Sequence, residues 1–119
     1  MNHDFLLKKM HELRESWVQL KDERLKLKIR RPTKLEVSVN GSNLFGDSAE
    51  KVHKYIVDWS GFTERDIIGQ AGGDDALDYH PDFVREYLNE HVHDMFTVIE
   101  AISESIKSSN AQEVELEKK

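Results

Sequence analysis

Leu25, Leu27 and Ile29 alternate strictly with Lys26, Lys28 and Arg30, and this period of two is the feature that most constrains the fold. A strand sends successive side chains to opposite faces, whereas a helix would scatter these three apolar residues around its circumference. The charged segment Lys21-Asp22-Glu23-Arg24 precedes the alternation, and Trp17-Val18-Gln19-Leu20 precedes that. The pattern predicts a β-hairpin of roughly 16–20 and 25–30. A continuous helix to about residue 24 is the rival reading. Two strands alone are marginal in water, so a helix must cross their apolar face.

Helical periodicity marks other segments. Residues 4–14 fit a short amphipathic helix with Phe5 or Leu6, Met10 and Leu13 on one stripe. Pro32 ends the alternating strand, since it offers no backbone donor. Beyond it, Thr33 and Glu36 have capping-box spacing, which would start a helix. Leu35, Val37 and Val39 instead alternate as a third strand would, ending at the turn signal Asn40-Gly41. Propensity favours the strand. Residues 41–47 read as loop, and Asp47 or Ser48 caps a helix over about Ala49–Asp58 with Val52, Tyr55, Ile56 and Trp59 on its apolar face. Gly61 ends it. Thr63 through Asp66 repeats the capping spacing for a one- or two-turn helix bearing Ile67 and Ile68. Residues 69–78, with three glycines and three aspartates, read as an exposed loop.

Pro81 suits a first helical position. Phe83, Val84, Tyr87 and Leu88 form one stripe, and Val92, Met95, Phe96, Ile99, Ile102 and Ile106 form the longest, with Asn89-Glu90-His91 as a kink or break between them. The second stripe predicts a helix of roughly 92–107 whose face, Phe96 included, is core. Residues 109–119 are too polar to bury and read as a frayed tail. The expectation is one α+β domain over 1–108, mostly helical, with an N-terminal β-hairpin or small antiparallel sheet.

Size and charge bound the function classes. One hundred and nineteen residues suit a single modest core. There are no cysteines, so disulfide and thiolate chemistry are excluded. A charged leader before an apolar run is lacking, and no window approaches eighteen apolar residues, which argues against secretion and membrane spanning. The net charge of −6 is unevenly divided. Residues 1–35 carry ten Lys/Arg against five Asp/Glu, and residues 36–119 carry seven against eighteen, so +5 faces −11. Such asymmetry steers a partner or lets copies associate basic face to acidic face; a solvated surface with unevenly placed charges is the plainer reading. The acidic remainder makes nucleic acid a poor partner.

Few residues suggest chemistry. His91 and His93 are two apart, about 200° round a helix, so they do not chelate as an i,i+4 pair does. Asp74, Asp75 and Asp78 with His80 and Asp82 resemble a cation loop in composition. The twelfth position from Asp74 is Arg85, however, where a calcium loop needs glutamate. Gly69 and Gly72-Gly73 lack the lysine of a nucleotide loop. Glu12 and Glu15 read as ordinary helix-surface carboxylates. The expectation is no catalytic residues, no cofactor and no metal. Aromatic side chains anchor protein interfaces, so the candidate binding face is Trp59 and Phe62 beside Gly69, Gly72, Gly73, Asp74, Asp75 and Asp78. The alternative is that Trp59 and Phe62 plug a junction between helices.

The order of three segments carries a resemblance. They are Glu15-Ser16-Trp17-Val18-Gln19-Leu20, then Leu27-Lys28-Ile29-Arg30-Arg31-Pro32-Thr33, then the run from Tyr55 through Trp59-Ser60-Gly61-Phe62 to Asp66. Together with the glycine-rich loop and Phe83 to Ile102, they resemble small tail assembly, or tail-chaperone-like, proteins of long-tailed bacteriophages and prophages, over about 15–105. The resemblance implies a non-enzymatic factor of the host cytoplasm, acting in tail morphogenesis. Its implied partners are the tape-measure protein, the tail tube subunit and copies of itself. Strand-like 37–41 and the acidic loop after Gly69 depart from that family's pattern. A structural or regulatory protein-binding module, in the virion or the host, is the alternative.

Overall fold

The alternating residues do form a strand, and its apolar face is the floor of the core. A computed structural model of the chain describes residues 2–40 and 50–117. β1 (Glu15–Gln19) pairs antiparallel with β2 (Lys26–Arg30), with Val18 opposite Leu27 and Trp17 opposite Lys28. Leu25, Leu27 and Ile29 are buried. On the outer face Glu15, on β1 rather than on the helix surface expected, accepts from Arg30 at 2.6 Å and meets Lys28 at 3.3 Å, while the Lys28 ammonium lies 5.7 Å from the Trp17 ring centre. The hairpin turn is held by the Gln19 side-chain amide, which donates to the carbonyls of Asp22, Glu23 and Leu25.

The third strand is not where the alternation at 35–39 predicts it. Residues 34–40 form a helix, α2 (Lys34–Asn40), and β3 is Ile56–Ser60, antiparallel to β2. Thr33 and Glu36 close the capping box: the Thr33 N–H donates to the Glu36 carboxylate and the Glu36 N–H to the Thr33 hydroxyl, both at 3.1 Å. The Tyr55 hydroxyl donates to the same carboxylate at 3.0 Å. Reciprocal capping and this tertiary anchor outweigh the strand propensity of Val37 and Val39, which spans only about 1 kcal/mol.

The helix expected over Ala49–Asp58 is likewise corrected. The described part of that segment is a single turn, α3 (Glu50–His53), followed by β3. Lys28 pairs with Asp58 and Ile29 with Ile56, so Val57 is an extra residue in the ladder. This irregularity turns Ile56 and Trp59 to the same face although they are three apart. It therefore mimics helical spacing. The loop expected over 41–47 and the Asp47 or Ser48 cap lie outside the described residues.

Gly61 follows β3 rather than a helix. Its φ of +88° and its close approach to the Arg24 carbonyl leave no room for a Cβ. α4 (Glu64–Ile68) has the expected box, with Asp66 accepting from the Thr63 N–H at 2.8 Å. A 3-10 turn, Gly69–Ala71, follows. α5 (Pro81–Glu90) ends at His91, and α6 (Val92–Glu117) runs on past 107. The molecule is a small, mostly helical α+β domain whose N-terminal region holds an open three-stranded antiparallel sheet in the order β1-β2-β3.

α6 covers the sheet with Met95, Val98 and Ile102, all buried, while Phe96 is 64% exposed and Val92 points outward with it. The expectation of a core Phe96 is thus overturned, and Val98 takes its place. Asp94 sets the helix rotation. Its buried carboxylate accepts from the Tyr87 hydroxyl and from the Lys21 backbone N–H, each at 2.9 Å. That grip turns 94, 95, 98 and 102 inward together.

The N-terminal helix expected over 4–14 is present. α1 (His3–Glu12), capped by the Asn2 side chain, contributes no buried residue.

Candidate protein-docking site

Trp59 and Phe62 are both buried, stacked at 4.4 Å with their planes 14° apart. The Trp59 indole donates to the Leu77 carbonyl at 2.8 Å and meets Tyr79 edge-on; Phe62 meets Tyr87 edge-on at 5.1 Å. The pair is therefore packed inside, where it joins β3 to α5, and is not an exposed patch. The reading in which these rings plug a junction describes their position better, although the junction is between sheet and helix.

The glycine loop lies over the pair as the sequence suggests, but it is fastened down. Leu77 N–H donates to the Phe62 carbonyl, and Thr63 bridges to Ala76. Gly72 is buried so close to α4 that a Cβ would stand 2.6 Å from the Glu64 carbonyl. Gly73 donates to the Glu64 carboxylate and accepts from the Arg65 N–H; Asp74 pairs with Arg65 at 2.8 Å. The close approach at Gly72 is to the chain's own backbone, which explains this glycine without a ligand. Gly69 takes φ +70° at the end of α4, with open space around it. Asp75 and Asp78 are exposed.

The apolar surface that remains open is elsewhere. Phe5, Leu6, Leu7, Met10 and Leu13 are between 44% and 86% exposed, and on α2 Leu35 and Val39 are 73% and 74% exposed. Leu7, Met10 and Leu13 share an open cleft of about 420 Å³ with His11, Arg14, Arg31, Thr33 and Lys34. Its floor is apolar and its rim basic. Arg14 and Arg31 are held in place by hydrogen bonds to the carbonyls of Arg31 and Pro32, both at 2.9 Å. The sequence carries half of this signal, the stripe Phe5/Leu6, Met10, Leu13. The other half, Leu35 and Val39 at i,i+4, is visible only once 34–40 is helical.

A second cleft, about 550 Å³, is polar and lies where the hairpin turn meets α5 and α6. Lys21, Asp22, Arg65, Asp66, Tyr87, His91 and Asp94 line it. His91 stacks on Tyr87 at 3.9 Å, and its Nδ1 is 2.8 Å from the Tyr87 carbonyl. Burial, reinforced by the bond to Asp94, pushes the Tyr87 phenol far above its ordinary range.

No family model, curated protein or solved structure matches this chain.

The two clefts differ in what they can do. The lining of the polar cleft lacks a serine or cysteine nucleophile, and its carboxylate at Asp94 is already engaged by two donors. That arrangement fastens the hairpin to α6. Among the described residues, no group of three or more His, Cys, Asp or Glu is placed to hold a metal ion, and no helix is long and apolar enough to cross a membrane. The apolar cleft beside α1 is open and lined by Leu7, Met10 and Leu13, which makes it the candidate site. Apolar side chains left open on this scale mark interaction sites in soluble domains.

Proposed function

We propose that this protein is a non-enzymatic assembly factor for the tail of a long-tailed bacteriophage or prophage. It acts in the host cytoplasm by binding the tape-measure protein or the tube subunit during morphogenesis. The reading joins the ordered resemblance over about 15–105 to one observation. α1 is a capped amphipathic helix whose apolar stripe is exposed, with Leu7, Met10 and Leu13 in a cleft that Arg14, Arg31 and Lys34 also line. A helix that gives no side chain to its own core has that face available for another protein. Binding through it would be transient when the partner's own polymerisation buries the same segment.

The test is capture of the tape-measure protein by wild type and by Met10→Glu, whose side chain is exposed, so folding is preserved. Capture should fall at least tenfold in the variant. Equal capture by both removes α1 from the function. Mass spectrometry of purified virions separates the alternative, a structural subunit. An assembly factor should be absent, whereas a subunit would appear in many copies.

A further inference from the structure

Two arginines stand together without a counter-charge. Arg24, Arg30 and Arg65 each meet a carboxylate, at 2.8, 2.6 and 2.8 Å, and Arg85 is exposed on α5. Arg14 and Arg31 are half-buried, and among the described residues their side chains meet only carbonyls. Arg14 donates to the Arg31 carbonyl and Arg31 to that of Pro32. Most N–H groups of each guanidinium fork are left without a protein acceptor.

The two are also neighbours. Glu15 pairs with Arg30 in the ladder, and one step beyond them the Arg31 N–H donates to the Arg14 carbonyl at 2.7 Å. Side chains alternate along a strand, so Arg14 falls on the face of Val18 and Arg31 on that of Leu27 and Ile29. Two cations thus stand opposite each other where the apolar inner face ends. Like charges so placed repel. Glu15 is close by, but its carboxylate is engaged by Arg30 and Lys28.

The surroundings say what would suit the pair. On one side is the apolar cleft of Leu7, Met10 and Leu13. On the other is a smaller cleft, which Ser16, Ser105, Ser108 and Ser109 line. Arg14 and Arg31 line both, so they separate an apolar floor from a group of hydroxyls. An anion seated between the forks can carry an attached apolar group into the first cleft. Free phosphate would leave that cleft empty, and the charge of −11 over residues 36–119 repels nucleic acid.

We propose that Arg14 and Arg31 clamp a carboxylate: the Asp or Glu side chain of a partner segment whose apolar neighbour seats against Leu7, Met10 and Leu13. The bound carboxylate relieves the repulsion between the arginines and accepts charge-assisted hydrogen bonds from their forks. Apolar contact alone would accept any hydrophobic segment, whereas the clamp rejects one that lacks the acid. This rests on the functional reading above and sharpens it: the tail protein is held by an acidic, amphipathic segment.

The probe is a synthetic helical peptide with a leucine stripe flanked by glutamates, titrated calorimetrically into the full chain. A twin peptide carries glutamine for every glutamate. The glutamate peptide should bind about tenfold tighter or better, and Arg14→Gln or Arg31→Gln should each remove that margin. Arg14→Lys keeps the charge without the fork and should recover only part of it. Circular dichroism checks folding, and Arg31→Gln carries the test if Arg14→Gln does not fold.

Equal binding of the two peptides, binding of neither, or a margin that survives both substitutions overturns the clamp. Tighter binding to phosphatidylserine vesicles than to the peptide, lost in the same variants, overturns it in favour of a lipid headgroup. Capture of the tape-measure protein separates the clamp from the functional reading. Capture weakened by Met10→Glu but untouched by Arg14→Gln and Arg31→Gln sinks the clamp alone. Peptide selectivity through the arginines without capture of that protein sinks the functional reading alone.

Discussion

Phe62 is sealed against Tyr87 and Trp59, while Phe96, on an equally regular apolar stripe, lies in solvent. Phe62→Ala should cost about 3–5 kcal/mol through lost transfer energy and a cavity. Phe96→Ala should stay within about 0.5 kcal/mol, as exposed substitutions do. Urea denaturation of both variants checks the pair; similar losses would mean that α6 is rotated from the position described. The sequence could not separate these rings, because periodicity marks a stripe without marking its centre. The centre depends on Asp94, a polar residue whose partners are seven and 73 residues away. Trp59 and Phe62 were ambiguous for a related reason. Large rings serve cores and interfaces alike, and only burial distinguishes the two uses.

Elements whose signals were local proved legible. The hairpin, the Thr63 box, the Pro81 start and the break at His91 each follow from residues within a few positions of one another. β3 and α2 were misread because local rules competed: an extra residue at Val57 disguised a strand as a helix, and alternating valines disguised a capped helix as a strand. The seating of Gly72 and Gly73 on α4 depends on backbone approaches that no pattern encodes. α1 is legible as a helix from its stripe alone. Since it buries no side chain, deleting residues 1–12 should leave the thermal midpoint within a few degrees while removing the docking face. Calorimetry of the shortened chain checks this, and a large drop would place α1 in the folded core after all.

At the scale of the molecule, the three tyrosines, Tyr55 and Tyr87 buried and Tyr79 partly so, give a single spectroscopic signature. Burial first, then the bond donated to Glu36, pushes Tyr55 up to about 12; burial first, then the Asp58 charge, raises Tyr79; Tyr87 is raised as described. A group raised above its unfolded value favours the protonated, folded state. The contribution is complete below about pH 10 and is lost as pH rises through the folded values. An ultraviolet titration should therefore show less phenolate near pH 10 than three free tyrosines give, with the remainder appearing on unfolding. A tyrosine ionising at pH 10 in the native protein would contradict its described surroundings.

The packing of α6 on β1 and β2 also has a consequence during synthesis. Leu27 and Ile29 leave the ribosome long before Val98 and Ile102, and at translation speeds of about 5–20 residues per second that interval is roughly 4–14 s. Throughout it the growing chain shows an uncovered β-hairpin with its apolar side open to water. Stalled nascent chains should stay protease-sensitive until Ile102 has cleared the exit tunnel, then become resistant within a few residues. Protection gained as soon as β3 emerges would mean that the sheet stands without its helix. A chain whose core is finished last spends its first seconds with that apolar face unprotected.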